Sequence, residues 1–113
     1  MSEQNPPLSA SKLISELLAD DPDLREVVEE FVEGLDGRMR EIQTAYQKLD
    51  WQMLGMLAHR LKGAGGSYGY PAISMLGRTM ETSFKAQQPG EFTAWMEQLD
   101  QLVKAAKAGL SPQ

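Results

Sequence analysis

Apolar residues recur every three or four positions along almost the whole chain, and no segment alternates with a period of two for the length of a strand. A period near 3.6 residues is the pattern of amphipathic helices. The longest stripe steps in this way through Val28, Phe31, Leu35, Met39, Ile42, Tyr46 and Leu49. The pattern therefore predicts an all-α protein.

Five helices are predicted from the stripes and the breaks between them, covering residues 9–19, 22–48, 51–68, 71–87 and 91–108. Proline and glycine mark most of the breaks, and Asp50 is expected to cap the third helix. Gly34 and Gly37 interrupt the second helix, which reduces its expected straightness. Short connections favour antiparallel neighbours, so the last four helices are expected to form an up-down-up-down four-helix bundle. The additional short N-terminal helix would pack across one end.

One domain is expected over residues 9–109, preceded by a disordered leader over residues 1–8. The side chains expected to face its core, besides the long stripe, are Leu13, Leu17, Ile14 or Leu18, Leu54, Leu57, Ala58, Leu61, Ala64 or Gly65, Ile73, Leu76, Met80, Phe84, Phe92, Trp95, Met96, Leu99, Leu102 and Val103.

Composition removes several classes of function. The chain has no cysteine, so disulfides, thiolate metal sites and cysteine nucleophiles are excluded. A net charge of −5 argues against nucleic acid as the main partner. No apolar run approaches the roughly 20 residues of a membrane span, and no signal peptide is visible at the N-terminus. We therefore expect a cytoplasmic protein with no membrane partner.

The charge is unevenly distributed along the chain. Residues 1–50 carry a net charge of −7, whereas residues 51–113 carry +2. The less acidic half contains the single histidine, His59, flanked by Arg60 and Lys62. This balance suits a partner with an acidic pocket, and it equally suits an ordinary solvated surface of mixed charge.

Four glycines surround His59 in a segment that otherwise has a helical pattern: Gly55, Gly63, Gly65 and Gly66. Each glycine in a helix interior costs roughly 1 kcal/mol relative to alanine. Gly55, Gly63 and Gly66 lie on the same side of the helix as the imidazole. Access of another molecule to His59 would explain them, whereas Gly65 leans toward the core and has no assigned role.

Helical geometry places His59 well away from the direction of Leu54, Ala58 and Leu61, so an exposed or partly exposed imidazole is expected. Lys62 follows at i+3 on the same face, where its charge would stabilise a dianionic group on the imidazole. An ordinary solvated lysine is the alternative, and it is the commonest fate of a lysine on a helix.

Other chemistry fits the sequence poorly. A histidine metal site would need further histidine or cysteine ligands, and none exist. The glycine-rich residues 63–69 lack the pattern of a nucleotide-binding loop. Ser67 has no nucleophile-elbow context, so a hydrolase-type or metal-dependent enzyme is the weakest hypothesis.

Residues 58–69, Ala-His-Arg-Leu-Lys-Gly-Ala-Gly-Gly-Ser-Tyr-Gly, resemble the signature of histidine-containing phosphotransfer (HPt) domains, A-H-x-L-K-G followed by five residues and glycine. The resemblance covers about residues 10–85. It implies a helical bundle with an exposed histidine, which agrees with the fold expected from periodicity.

The resemblance also implies a role for each matching position. His59 matches the histidine that accepts a phosphoryl group on Nε2, and Lys62 matches the lysine that interacts with that group. Gly63 matches the glycine that leaves room beside the imidazole. Gly66 falls where a small residue is usual, and Gly69 matches the glycine that closes the motif.

The partner implied by the resemblance is the receiver domain of a response regulator or hybrid histidine kinase, whose aspartate and Mg²⁺ complete the transfer site. The chain itself would need no cofactor and no metal, and it would act as a monomeric phosphocarrier without ATP binding or autokinase activity. Gly55, Met53, Met56 and Arg60, with parts of the second helix, are expected to form the docking patch, although methionines at these positions also suit core or edge filling. The alternative function is a helical adaptor that binds a signalling partner without phosphotransfer.

Overall fold

The computed structural model describes residues 12–111, and all regular secondary structure within them is helical, as predicted. The expected leader over residues 1–8 lies outside the described residues. The helices are α1 (Glu16–Asp20), a short 3₁₀ helix (Pro22–Leu24), α2 (Arg25–Glu33), α3 (Leu35–Gln47), α4 (Trp51–Ser67), α5 (Pro71–Lys85) and α6 (Phe92–Leu110).

The four helices α3, α4, α5 and α6 form the predicted up-down-up-down bundle, because α3 packs against α4 and α6 while α5 packs against α4 and α6. Their apolar stripes meet in one core. The largest fully buried side chains are Tyr70, Phe84, Leu35, Ile42, Leu54, Leu61, Ile73, Met80, Leu99, Leu102, Val28 and Val32. The closest pair of helices is α4 and α5, which together carry the candidate functional site.

The prediction of one continuous helix over residues 22–48 is wrong. A 3₁₀ turn opens the segment, and α2 and α3 are separate helices that meet at Gly34. The Gly34 N–H lies 3.1 Å from the carbonyl oxygens of both Glu30 and Phe31, and its ψ of −8° departs from the ordinary helical value. The last turn of α2 is therefore tighter than a regular α-helix at Gly34, and α3 begins after it.

The first helix is also shorter than predicted. Residues 12–15 are not helical, residues 9–11 lie outside the described part, and α1 begins only at Glu16. Ser15 caps it by accepting the Leu18 N–H at 3.0 Å, and its hydroxyl donates to the Tyr68 carbonyl oxygen at 2.6 Å. Serine is a preferred N-cap residue, so this contact with the end of α4 fixes where α1 starts.

Leu49 does not belong to the core, contrary to its place in the predicted stripe. Helix α3 ends at Gln47, and Leu49 adopts a φ of 51° in the turn that follows, where its side chain is 58% exposed. At the N-terminus, Leu18 packs against the core and Ile14 is exposed, which settles the alternative left open between them.

The Tyr70 hydroxyl is buried without a hydrogen-bond partner among the described residues. Burial also raises the pKa of the phenol. An unpaired buried hydroxyl costs about 1–3 kcal/mol in desolvation, so the Tyr70→Phe variant should be as stable as the wild type or more stable by about 1 kcal/mol. Urea denaturation would measure this difference. A loss of stability would show that the hydroxyl has a partner.

Candidate functional site

The site is built on the outer face of α4. Asp50 caps this helix as predicted, since its carboxylate accepts the Met53 N–H at 3.1 Å. Leu54, Ala58 and Leu61 point into the core and turn His59 outward. The His59 side chain is 61% exposed, which confirms the exposure predicted from helical periodicity.

A carboxylate from the neighbouring helix contacts both His59 and Lys62. Glu81 on α5 places Oε2 2.9 Å from His59 Nδ1 and Oε1 2.9 Å from Lys62 Nζ. Lys85 Nζ lies 2.8 Å from the same Oε2. The Glu81 side chain is only 8% exposed, so one nearly buried carboxylate holds three cationic or potentially cationic groups together.

Glycines allow α5 to approach α4 closely enough for these contacts. A Cβ on Gly77 would lie 2.7 Å from the backbone nitrogen of Lys62, and a Cβ on Gly65 would lie 2.8 Å from that of Ser74. Both distances are shorter than real Cβ contacts allow. The Ser74 hydroxyl also donates to the Lys62 carbonyl oxygen at 2.8 Å. Glu81 follows Gly77 by one helical turn, so this close crossing sets its position beside His59.

The electrostatics of the site select one tautomer of the imidazole. The hydrogen bonds from Lys85 and Lys62 lower the pKa of Glu81 to about 2, against the opposing effect of its burial. A carboxylate with this pKa carries no proton at neutral pH and only accepts hydrogen bonds. The His59 Nδ1 must therefore be the donor, and the neutral ring presents the Nε2 lone pair away from Glu81.

The glycines near His59 have different surroundings. A Cβ on Gly63 would meet nothing within 4 Å, so the space beside this turn of α4 is open. On Gly66 it would make ordinary contact with the Ser74 side chain, and on Gly55 it would touch the Lys85 stem at 3.4 Å. Gly69 is buried with a φ of 85°, and a Cβ there would clash with the backbone at the start of α1.

The predicted docking residues fall on two sides of α4. Gly55 and Met56 line a recess of about 470 Å³ that also includes His59 and Lys85. Met53 and Arg60 instead line a groove between α3 and α4. Both methionines are more than one third exposed, so they are surface residues and not core filling. Docking itself stays a prediction for all four residues.

The sequence model of the Hpt domain matches residues 26–109, which is most of the chain. The chain belongs to the Hpt domain family. No match was found among the curated proteins or the solved structures.

Membership of the Hpt family makes the chain a histidine-containing phosphotransfer module of the kind used in phosphorelays. Hpt domains are phosphocarrier modules and not enzymes, and they interact with receiver domains. Among residues 12–111, no helix is long and apolar enough to cross a membrane. Across the same residues, no three His, Asp or Glu side chains come together as a metal-binding group.

Three residues of the candidate site were not predicted as site residues: Gly77, Glu81 and Lys85. The sequence did contain a signal for Glu81. This acidic residue lies beside the apolar stripe of α5, between the stripe residues Met80 and Phe84. Carboxylates are rarely buried without a cationic partner, so Glu81 at this position indicates a charged site. The partners of Glu81 on α4 could not be identified in the same way, because the spacing of residues along one helix does not show which residues of another helix they face.

Glu81 should make the stability of the Hpt domain depend on pH. Its pKa is lower in the folded chain than the ordinary 4.5, so the unfolded chain binds the proton more readily. The stabilisation is complete above about pH 4.5 and is lost as the pH falls toward 2. It amounts to at most about 3 kcal/mol.

Urea denaturation between pH 2 and 7 would measure this effect. The Glu81→Gln variant should be less stable at pH 7, and its stability should change less over the acid range. Asp36→Asn is the control. A hydrogen bond from Lys107 lowers the pKa of Asp36, but both side chains are about half exposed, so this pair contributes little to the stability of the fold. The control should therefore respond to acid as the wild type does. An acid response of Glu81→Gln equal to that of the wild type would contradict the interpretation.

Proposed function

We propose that this Hpt domain accepts a phosphoryl group from the aspartyl phosphate of a receiver domain onto Nε2 of His59 and passes it to another receiver. The observation that carries the proposal is the hydrogen bond between His59 Nδ1 and Glu81 Oε2 at 2.9 Å. It holds an exposed imidazole with its Nε2 lone pair toward the solvent, which is the arrangement that a nucleophile requires.

The transfer can be written with all atoms accounted for. The Nε2 lone pair forms a bond to phosphorus, while the bond between phosphorus and the aspartyl oxygen breaks and leaves its electrons on the receiver carboxylate. The Nδ1 proton stays on the ring. Positive charge develops on the imidazole during the transfer, and the Glu81 carboxylate stabilises it across the hydrogen bond. The reverse sequence returns the group to a second receiver.

Lys62 supports the same step from the other side of Glu81. Its ammonium lies 2.9 Å from Oε1 and its side chain is one third exposed, so it is held near the imidazole yet faces solvent. We infer that it turns to a phosphoryl oxygen once the group arrives. Phosphoryl transfer depends mainly on positioning and charge stabilisation. The receiver would supply Mg²⁺ for this purpose, and this chain would supply the Lys62 ammonium and no metal.

Open space at Gly63 supports the approach of a partner along α4. Nothing lies within 4 Å of a Cβ built there, so the receiver backbone or its phosphoaspartate would not meet a side chain one turn from His59. Cytoplasmic location, a monomeric state and the absence of autokinase activity accompany this proposal as predictions.

The test is transfer from a panel of ³²P-labelled receiver domains to the wild type and to His59→Gln. The wild type should gain phosphate that is labile to acid and stable to base, and His59→Gln should gain none while its circular dichroism stays unchanged. Incubation with labelled ATP alone should label neither chain. If a receiver binds the wild type but no member of the panel transfers phosphate, the adaptor function replaces the proposal.

A further inference from the structure

Lys85 contacts Glu81 at the site, yet the proposed transfer does not use it. Its Nζ lies 2.8 Å from Glu81 Oε2, the oxygen that also accepts the hydrogen bond from His59 Nδ1. Lys62 Nζ contacts the other oxygen, Oε1, at 2.9 Å. The two lysines therefore hold different oxygens of one carboxylate, and Lys62 can leave Oε1 while both contacts at Oε2 remain.

Lys85 is attached to Glu81 through the helix that carries both residues. They are four positions apart on α5 with the acid on the N-terminal side, which is the favoured order for such a pair. The Lys85 stem also passes close to α4, since a Cβ on Gly55 would lie 3.4 Å from its Cγ. Lys62 instead reaches Glu81 across the helix interface. The hydrogen bond from Lys85 lowers the pKa of Glu81 more than the one from Lys62 does, so Lys85 is the stronger partner of the carboxylate.

The charges at the site match the arrival of a phosphoryl group. With the imidazole neutral, two ammonium groups and one carboxylate leave the cluster with one excess positive charge. Transfer of a phosphoryl group to the neutral ring adds one negative charge, so the cluster becomes neutral. Without Lys85 it would begin neutral and end with an excess negative charge around a carboxylate that is nearly buried. Burial makes an unbalanced charge of this kind costly.

We propose that Lys85 is a positioning residue, which holds Glu81 against His59 while Lys62 turns to the phosphoryl group. The inference rests on the proposed function and adds a residue to it. When Lys62 leaves Oε1, Lys85 still neutralises the carboxylate, which still accepts the Nδ1 hydrogen bond. In the absence of Lys85, the departure of Lys62 would leave the nearly buried carboxylate with the imidazole alone. Lys62 would then stay on Glu81 and stabilise the phosphoryl group less.

The experiment is single-turnover transfer from a labelled receiver to the wild type, Lys85→Met and Lys85→Arg. Methionine keeps an unbranched stem and removes the charge. Lys85→Met should transfer about tenfold more slowly at saturating receiver, while the half-saturating receiver concentration changes by less than about twofold. Lys85→Arg should restore most of the rate, because a guanidinium can still donate to Oε2. A loss confined to the half-saturating concentration would assign Lys85 to receiver binding and overturn the proposal.

Lys104→Met is the matched control. It removes an exposed lysine from another pair of residues four apart, formed with Asp100 on α6, and it should transfer as the wild type does. Circular dichroism of both methionine variants should equal that of the wild type. An equal loss of transfer in Lys104→Met and Lys85→Met would show a general effect of surface charge and would contradict a specific role for Lys85.

The Glu81→Gln background separates an action through the carboxylate from direct contact with the phosphoryl group. A neutral amide needs no counter-ion, so adding Lys85→Met to Glu81→Gln should change the rate by less than about twofold. A full loss in that background would show that Lys85 acts on the phosphoryl group itself, which would overturn the positioning role. Equal rates of Lys85→Met and the wild type would also overturn it and leave the proposed function intact. Failure of the wild type to accept phosphate would instead overturn the proposed function.

Discussion

Gly63→Leu is expected to reduce phosphotransfer to His59 by at least about 100-fold while leaving the fold intact. The position lies one turn after His59 on the exposed side of α4, and a Cβ there meets no atom within 4 Å. The free chain therefore tolerates the leucine. A receiver that approaches the imidazole does not, because a displacement of about 1 Å in the reacting groups costs about two orders of magnitude in rate.

The measurement is single-turnover transfer from a labelled receiver, together with thermal unfolding of the free chain. The melting temperature should be unchanged or higher, since leucine is more favourable than glycine in a helix by up to roughly 1 kcal/mol. Gly63→Ala is the matched variant with a smaller side chain, and it should slow transfer less. Wild-type transfer by Gly63→Leu would show that access does not explain this glycine.

Gly77→Ala is expected to destabilise the domain by about 2 kcal/mol and to slow transfer as well. A Cβ at this position would lie 2.7 Å from the Lys62 nitrogen and 2.9 Å from its Cα, so α5 must move away from α4. That movement would carry Glu81 away from His59 and Lys62. Loss of the Nδ1 hydrogen bond leaves the imidazole free to rotate and to change tautomer.

Gly63→Ala provides the control for stability, because it places the same substitution on the facing helix at an open position. It should stabilise the chain by about 1 kcal/mol, the ordinary gain from replacing a helical glycine with alanine. Urea denaturation of both variants would show opposite signs. The same sign for both would contradict the close crossing of α4 and α5 at Gly77.

The features that depend on one helix were predictable from the sequence. Helix α4 was expected over residues 51–68 and is observed over Trp51–Ser67, and the outward direction of His59 follows from the same periodicity. Local patterns did not predict the break at Gly34, because a glycine inside a helical stripe is compatible with both a continuous and an interrupted helix.

The features that depend on two helices were not predictable. Glu81 meets His59 only because Gly65 and Gly77 set the separation of α4 and α5, and that contact joins residues 22 positions apart. Gly65, which had no assigned role, lies against α5 and so has a structural one. Gly69 also has a structural role, because its φ is positive and a Cβ there would clash with the start of α1.

Nitrogen-edited NMR of the phosphorylated chain tests the central claim most directly. Uniform ¹⁵N labelling of His59 distinguishes the two ring nitrogens, and coupling to ³¹P identifies the one that carries the phosphoryl group. The phosphoryl group is expected on Nε2, with Nδ1 still bearing the proton that it donates to Glu81. Phosphorus on Nδ1, or on a residue other than His59, would contradict the account.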